Sequence, residues 1–370
     1  MTTEKKSRKE ISMRVALTFM AVAAVVIILA GCAAPIVPAA APAAAPDTAA
    51  EPAEQEGPKR KVIFVTHDLN PFFIPAIIGL KDFGEMAGWE TEFIGPTIHD
   101  TQGTIEYQYN ALAAQPDAVG FTAVDSDAFL DPIRQAQEAG IPVVLFNTRA
   151  PGVKEETGVA YVGQDFVQAG HIAGYELGKY ITEHTGKTEG LVVQPIIAPG
   201  HFALETRNSA GTEGLQRYNE EFGTNFTTEA LATTTEPDQA MADFEAKWAA
   251  DGDKIVGWLA ADFTHTFVGD WAKKNDLVGQ FAVGGYDLLD ATMTNIKDGS
   301  VDFSIGQNPY GQGFLTAALI FQQLERGYPA SDIDTGAELI DASTIDAVIE
   351  RETLWKEAGQ ELGFDLETGG

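Results

Sequence analysis

Along most of this chain, short runs of consecutive apolar residues alternate with longer segments whose apolar positions recur every three to four residues. The short runs predict strands at 61–66, 91–94, 118–124, 142–147, 160–164, 190–195, 255–260, 281–287 and 301–307. The longer segments predict helices at 71–88, 104–115, 128–139, 166–183, 238–250 and 311–324. Gly140-Ile141-Pro142 makes a sharp stop between a helix and a strand. Strands that are apolar throughout, each followed by a helix, predict an α/β fold of doubly wound parallel sheets with helices on both faces.

Open parallel sheets bind ligands outside the carboxyl ends of their strands. The residues there are Asp68-Leu69-Asn70, Asp125-Ser126-Asp127, Asn147-Thr148-Arg149, Gln164-Asp165, Asp262 and Asp287. Taken singly, each suits a helix cap or a turn, because Asp, Asn and Ser satisfy free backbone N–H groups. Their number, and the aromatics beside them, favour a binding site. Asn70-Pro71-Phe72-Phe73 opens the first helix. Adjacent helical side chains point about 100° apart, so two phenylalanines do not both serve one core face. At least one is expected to face something apolar outside the core.

The first 58 residues break the pattern. Lys5, Lys6, Arg8, Lys9 and Arg14 precede an apolar run over 15–30, which ends in small residues. That is the layout of a secretory signal, and the run is shorter than the ~20 residues a membrane-spanning helix needs. Leu29-Ala30-Gly31-Cys32 resembles the lipobox of bacterial lipoproteins. The resemblance implies that 1–31 are removed and that Cys32, diacylglycerated, becomes the new N-terminus. Residues 33–58 are almost all Ala, Pro, Glu and Thr. A stretch of that composition buries too little surface to fold, and its prolines favour ~3.1 Å per residue, a reach of ~80 Å. Residues 32–60 therefore read as a tether from a membrane.

The formal charge of −30 changes the list of partners. Without 1–31, 19 basic residues face 52 acidic ones. Nucleic acid is excluded, since its binding depends on Lys and Arg neutralising phosphates. Anionic lipid headgroups are excluded as a direct partner on the same ground. Cys32 is the single cysteine, so the folded part has no disulfide, cysteine-based zinc site or thiol nucleophile. Serine-hydrolase elbow, phosphate loop, dinucleotide fingerprint and H-E-x-x-H are all absent. His201 and Glu205, one turn apart, read as a surface pair. Asp332-Ile333-Asp334 lacks the spacing of a calcium loop, and Asp125 with Asp127 suits caps better than glycosidase carboxylates. Neither metal, cofactor nor enzymatic activity is expected.

Seven stretches carry a family resemblance: THDLNPFF (66–73), VDSDAF (124–129), IPVVLFNT (141–148), YVGQDFVQAGHIAGYELGK (161–179), LAADF (259–263), VGGYD (283–287) and IGQNPYGQG (305–313). In their order and spacing the chain resembles type I periplasmic binding proteins of the ribose/galactose/glucose class, from Lys61 to about Ala347. The resemblance implies two similar α/β lobes joined by a hinge of three crossings, 61–164 with about 308–336 and 165–307 with about 337–370. It also implies a monomer that holds a sugar in the cleft and presents it to an ABC-type permease.

Carried over residue by residue, Asn70 matches a ligand amide and Phe72 a ring-stacking aromatic, with Phe73 its companion. Thr122 ends the third strand, Asn147 stands where members often have Asp, and Gln164 sits at the first crossing. Asp262, Tyr286, Asp287 and Gln307 fall on ligand positions of the second lobe, and Arg207 is the candidate cleft arginine. The chemistry agrees: flat aromatics suit the C–H face of a pyranose, and carboxylates and amides suit its rim of hydroxyls. Ribose-type members carry an Asp-Arg pair where this chain has Asn147-Thr148, with Arg149 displaced by one. A hexose or cyclitol is therefore expected ahead of ribose. A sensor feeding a chemoreceptor or histidine kinase would use the same cleft, and the sequence leaves both roles open.

Overall fold

A computed structural model describes residues 59–98, 100–124 and 127–363. The leader, Cys32, most of the tether, His99, Asp125 and Ser126 lie outside the described residues.

Among the described residues, twelve strands form two six-stranded sheets. The first contains β1 (Lys61–Val65), β2 (Glu90–Ile94), β3 (Ala118–Ala123), β4 (Val143–Arg149), β5 (Ala160–Gly163) and β11 (Ile333–Asp334). Its order is β2-β1-β3-β4-β5-β11, parallel throughout. The second contains β6 (Glu189–Ile196), β7 (Asn225–Ala232), β8 (Ile255–Leu259), β9 (Ala282–Tyr286), β10 (Phe303–Gly306) and β12 (Glu338–Asp341). It repeats the order as β7-β6-β8-β9-β10-β12, with only β12 antiparallel. The inner strands β3, β8, β9 and β10 are buried along their whole length, as their unbroken apolar runs require.

Each sheet is covered on both faces. In the first lobe Phe64, Phe73, Phe146 and Ile320 fill one side, and Ile63, Phe121, Phe129 and Ile133 the other. In the second, Phe244, Trp258, Trp271 and Phe281 face one way, and Leu177, Leu215, Tyr218 and Phe303 the other. The helices used below are α1 (Ile74–Ala87), α2 (Thr101–Ala113), α3 (Leu130–Glu138), α4 (Val153–Thr157), α5 (Phe166–Tyr180), α6 (Phe202–Phe222), α7 (Pro237–Asp251), α8 (His265–Lys274), α9 (Asp290–Asp298), α10 (Pro309–Arg326) and α11 (Ile345–Glu361). Two glycines permit unusually close helix pairs. A Cβ on Gly174 of α5 would lie 1.8 Å from Gly211 O of α6, and one on Gly313 of α10 would lie 2.0 Å from Ala76 O of α1.

The chain passes between the sheets three times: at Gln164-Asp165, at Gln307-Asn308, and at Thr335 to Ala337. Thr335 N donates to Gly163 O (3.0 Å) and Thr335 Oγ1 to Gln307 O (2.9 Å), so the third crossing is tied to the other two. Asp334, in the stretch weighed as a calcium loop, accepts from Asp165 N and Gly336 N. Asp332 pairs instead with Arg149 and Lys154.

Candidate functional site

Seven of the expected residues gather where the strand ends meet the crossings: Asn147, Gln164, Arg207, Asp262, Tyr286, Asp287 and Gln307. Local backbone explains two of them. The β3–β4 pairing jumps from Phe121↔Leu145 to Ala123↔Arg149, so β4 carries extra residues around Asn147. Asn147 has φ 61°, and Asp287, just past β9, has φ 71°. Asn and Asp tolerate this left-handed conformation better than other side-chain-bearing residues. The fourth strand of each lobe thus carries, at or near its carboxyl end, a polar residue in left-handed backbone.

Hydrogen bonds join the set. Asn147 Nδ2 donates to Gln312 Oε1 (3.0 Å), and Gln312 Nε2 donates to Gln307 O (3.1 Å). The Gln307 amide donates to the Asp287 carboxylate. Arg207 Nη2 donates to Gln164 Oε1 (2.9 Å) and Nη1 to Ala261 O (3.2 Å). Gln164 Nε2 reaches Gly306 O (3.3 Å) and Gly336 O (3.2 Å), so one side chain contacts all three crossings. The Arg207 guanidinium lies 4.3 Å from the centre of the Tyr286 ring and 5.3 Å from that of Phe166. It reaches this place because α6 lies so close against α5. Arg207 Nε and the Tyr286 hydroxyl are buried with no hydrogen-bond partner.

Charge in the site is finely set. Burial pushes the Asp287 carboxyl above the usual carboxylate range, against the pull of Arg207 and the Gln307 hydrogen bond. Burial also raises Asp262, although Ile197 N (3.2 Å) and Thr264 N (2.9 Å) donate to its oxygens. His265, its neighbour, is pushed down to about 4 by burial and is neutral at ordinary pH.

The remaining expected residues sit differently. Asn70 caps the turn Pro71–Phe73: its Oδ1 accepts from Phe72 N (2.9 Å) and its Nδ2 donates to Asp68 (3.0 Å). Phe72 is half-buried and meets Phe73 edge-on, with ring centres 5.0 Å apart. Phe73 turns into the core beside Phe93 and Phe146. Thr122 of β3 is buried beside Val65 of β1, with its carbonyl accepting from Gln108 (2.9 Å). Arg149 is drawn aside by Asp332 (3.0 Å) and by the face of Tyr161 (5.0 Å). Sequence reasoning missed Gln312 and Tyr161, whose hydroxyl donates to Asn147 O (2.7 Å). Both lie inside stretches that carry the family resemblance, at positions not matched there to a ligand role. Two cavities of ≈ 340 and ≈ 710 Å³ adjoin at His184 and Gly279 of the second lobe, and none of the expected residues lines them. Among the described residues no helix is long and apolar enough to cross a membrane, and no group of three or more His, Cys, Asp or Glu could hold a metal.

Comparison with known proteins agrees with the architecture. The xylose/arabinose-binding protein XylF of Sulfolobus acidocaldarius is 28% identical over 307 residues, 78% of this chain and 73% of that one. A carbohydrate transporter solute-binding protein from Agrobacterium radiobacter, solved with D-arabinose, superposes with a TM-score of 0.68 at 23% identity, covering 79% of this chain and 98% of that one. A carbohydrate transporter from Acidothermus cellulolyticus, solved with myo-inositol, gives 0.65 at 21% identity, covering 80% of this chain and 99% of that one. The family model described as periplasmic binding protein domain matches residues 42–328, and the chain belongs to that family.

Proposed function

We propose that this chain is an extracytoplasmic solute-binding lipoprotein that captures a neutral monosaccharide or cyclitol between its lobes and delivers it to an ABC-type permease. One observation carries the reading. Buried amides, the Asp262 carboxylate and a guanidinium from both lobes converge on the crossings beside the half-buried Asp287, and Arg207 Nε and the Tyr286 hydroxyl are left without partners. A polyol, whose hydroxyls both donate and accept, satisfies such a set, and a missing hydroxyl would strand a buried polar atom. Asn147, Gln164 and Arg207 would bind the rim together with Asp262, Asp287 and Gln307. Phe72 and Tyr286 would offer ring faces, with Phe73 supporting Phe72. Asn70 and Thr122 would complete the first-lobe wall. Sugar contacting both lobes then shifts the population towards the closed arrangement.

The neutral Asn147 supports a hexose or cyclitol ahead of ribose. The 28% identical relative is named for xylose and arabinose, so these pentoses belong in the same panel. A thermal-shift screen with D-xylose, L-arabinose, D-ribose, D-glucose, D-galactose and myo-inositol tests the proposal. At least one should raise the melting temperature, with a shift that grows with the logarithm of its concentration above Kd. No shift with any of them, or turnover of the bound sugar into product, would overturn it. Anchoring is tested separately: Cys32→Ser should move the protein from the membrane fraction to the soluble fraction of the exported pool.

A further inference from the structure

The C-terminal helix α11 is bound to both lobes. Its first turns belong to the second lobe, where Ile345 and Val348 are buried with Met293 and Ile296. Lys297 meets Asp346 (2.8 Å), Arg351 meets Glu338 of β12 (2.9 Å), and Lys356 meets Asp290 of α9. Its last turns belong to the first lobe. The Trp355 ring stacks on Tyr310 at 5.1 Å and 14°, and Gly359 is buried where a Cβ would lie 2.9 Å from Ile74. Tyr310 follows the crossing at Gln307-Asn308 by two residues, and its hydroxyl donates to Asp82 of α1 (3.1 Å). Because α1 and α10 are locked at Gly313, Trp355 and Gly359 grip one rigid body.

We infer that α11 is a strap that sets the angle between the lobes and favours the closed cleft. A helix of this length is a rod of about 25 Å. Rotation about the three crossings must therefore shift one of its ends against its partner. The helix is fixed to the second lobe by core side chains in its first turns and by three ion pairs spaced from Asp346 to Lys356. The first-lobe end is held by the flat ring stack and the close fit of Gly359 on α1, with no ion pair to the first lobe among the described residues, so slippage falls there. The arrangement that carries the stack also buries cleft residues of both lobes: Asn147 is 8% exposed, Gln307 7% and Asp262 3%. Opening the cleft costs the stack. The inference rests on the sugar-capture reading only for its effect on affinity.

Spin labels at Glu106→Cys on α2 and Glu220→Cys on α6, in the full chain carrying Cys32→Ser, report the lobe separation without ligand. Trp355→Ala and Tyr310→Ala should each broaden the distance distribution and move it away from that of the parent. Trp355→Phe, which keeps a stacked ring, and Leu354→Ala, exposed on the same helix, should not. The same two alanine variants should weaken binding of the best panel sugar about two- to tenfold. Unchanged distances in both alanine variants would overturn the strap, as would a loss of affinity with no change in distance. If no panel sugar binds the parent chain, the capture proposal fails, and the ligand-free distances still decide the strap.

Discussion

Replacing Gln164 by Leu tests whether the binding site and the crossings are one structure. Gln164 is 1% exposed and makes three hydrogen bonds, two to backbone carbonyls on the other crossings and one from the Arg207 guanidinium. Each neutral bond contributes about 1 kcal/mol and the charged one about 1.5–3 kcal/mol. Burying the more apolar leucine offsets roughly 1 kcal/mol. A net destabilisation of about 2–4 kcal/mol follows. Urea unfolding followed by tryptophan fluorescence should show a lower midpoint at unchanged slope. The liberated Arg207 should also lose its placement over Tyr286, so sugar affinity should fall in the same variant. A midpoint equal to that of the parent chain would refute the reasoning, because it would mean that these bonds are not what holds the crossings together.

Asp287→Asn should separate stability from binding. Burial raises the native Asp287 pKa, so the folded protein holds this proton to higher pH than the unfolded chain. Its contribution is therefore fully present below the ordinary carboxylate value and lost as pH rises through the raised one. The asparagine variant escapes that loss: it should melt higher than the parent at neutral pH and alike in acid, yet bind sugar more weakly. Matching melting temperatures from pH 3 to 7 would contradict this. At Asn147, glycine keeps the left-handed backbone and removes only the amide, whereas leucine adds about 1–2 kcal/mol of strain. Asn147→Gly should lose affinity and the modest stability of the Gln312 bond, and Asn147→Leu should lose more melting temperature because strain is added to the same loss; equal melting losses would contradict the backbone argument.

Much of this fold was legible because inner parallel strands leave unbroken apolar runs. Val62 to Val65, Val119 to Phe121 and Ile255 to Leu259 could be read directly. The edge strand β7, NFTTEALA, is mostly exposed and half polar, and carries no such signal. Helix α6 is long, but its buried positions include Arg207, Asn208 and two glycines, which mask its apolar period. The regular pattern and the family stretches both end before α11, so a helix that touches both lobes passed unread. At the site, residue types at strand ends marked Asn147, Asp262 and Asp287, which the structure sets near the crossings. Two adjacent phenylalanines could not say which would turn inward; the structure sends Phe73 into the core and leaves Phe72 half-buried. Gln312 was hidden because a glutamine on an apolar helix face looks the same in sequence whether it faces water or Asn147.

The central claim is that Asp287 and its neighbours hold a sugar between the lobes. Isothermal calorimetry of the parent chain and Asp287→Ala with the best panel sugar tests it most directly. The parent should bind one sugar per chain, and the variant should lose at least tenfold in affinity, since a charge-assisted hydrogen bond is worth about 1.5–3 kcal/mol. Unchanged affinity in Asp287→Ala would contradict the account.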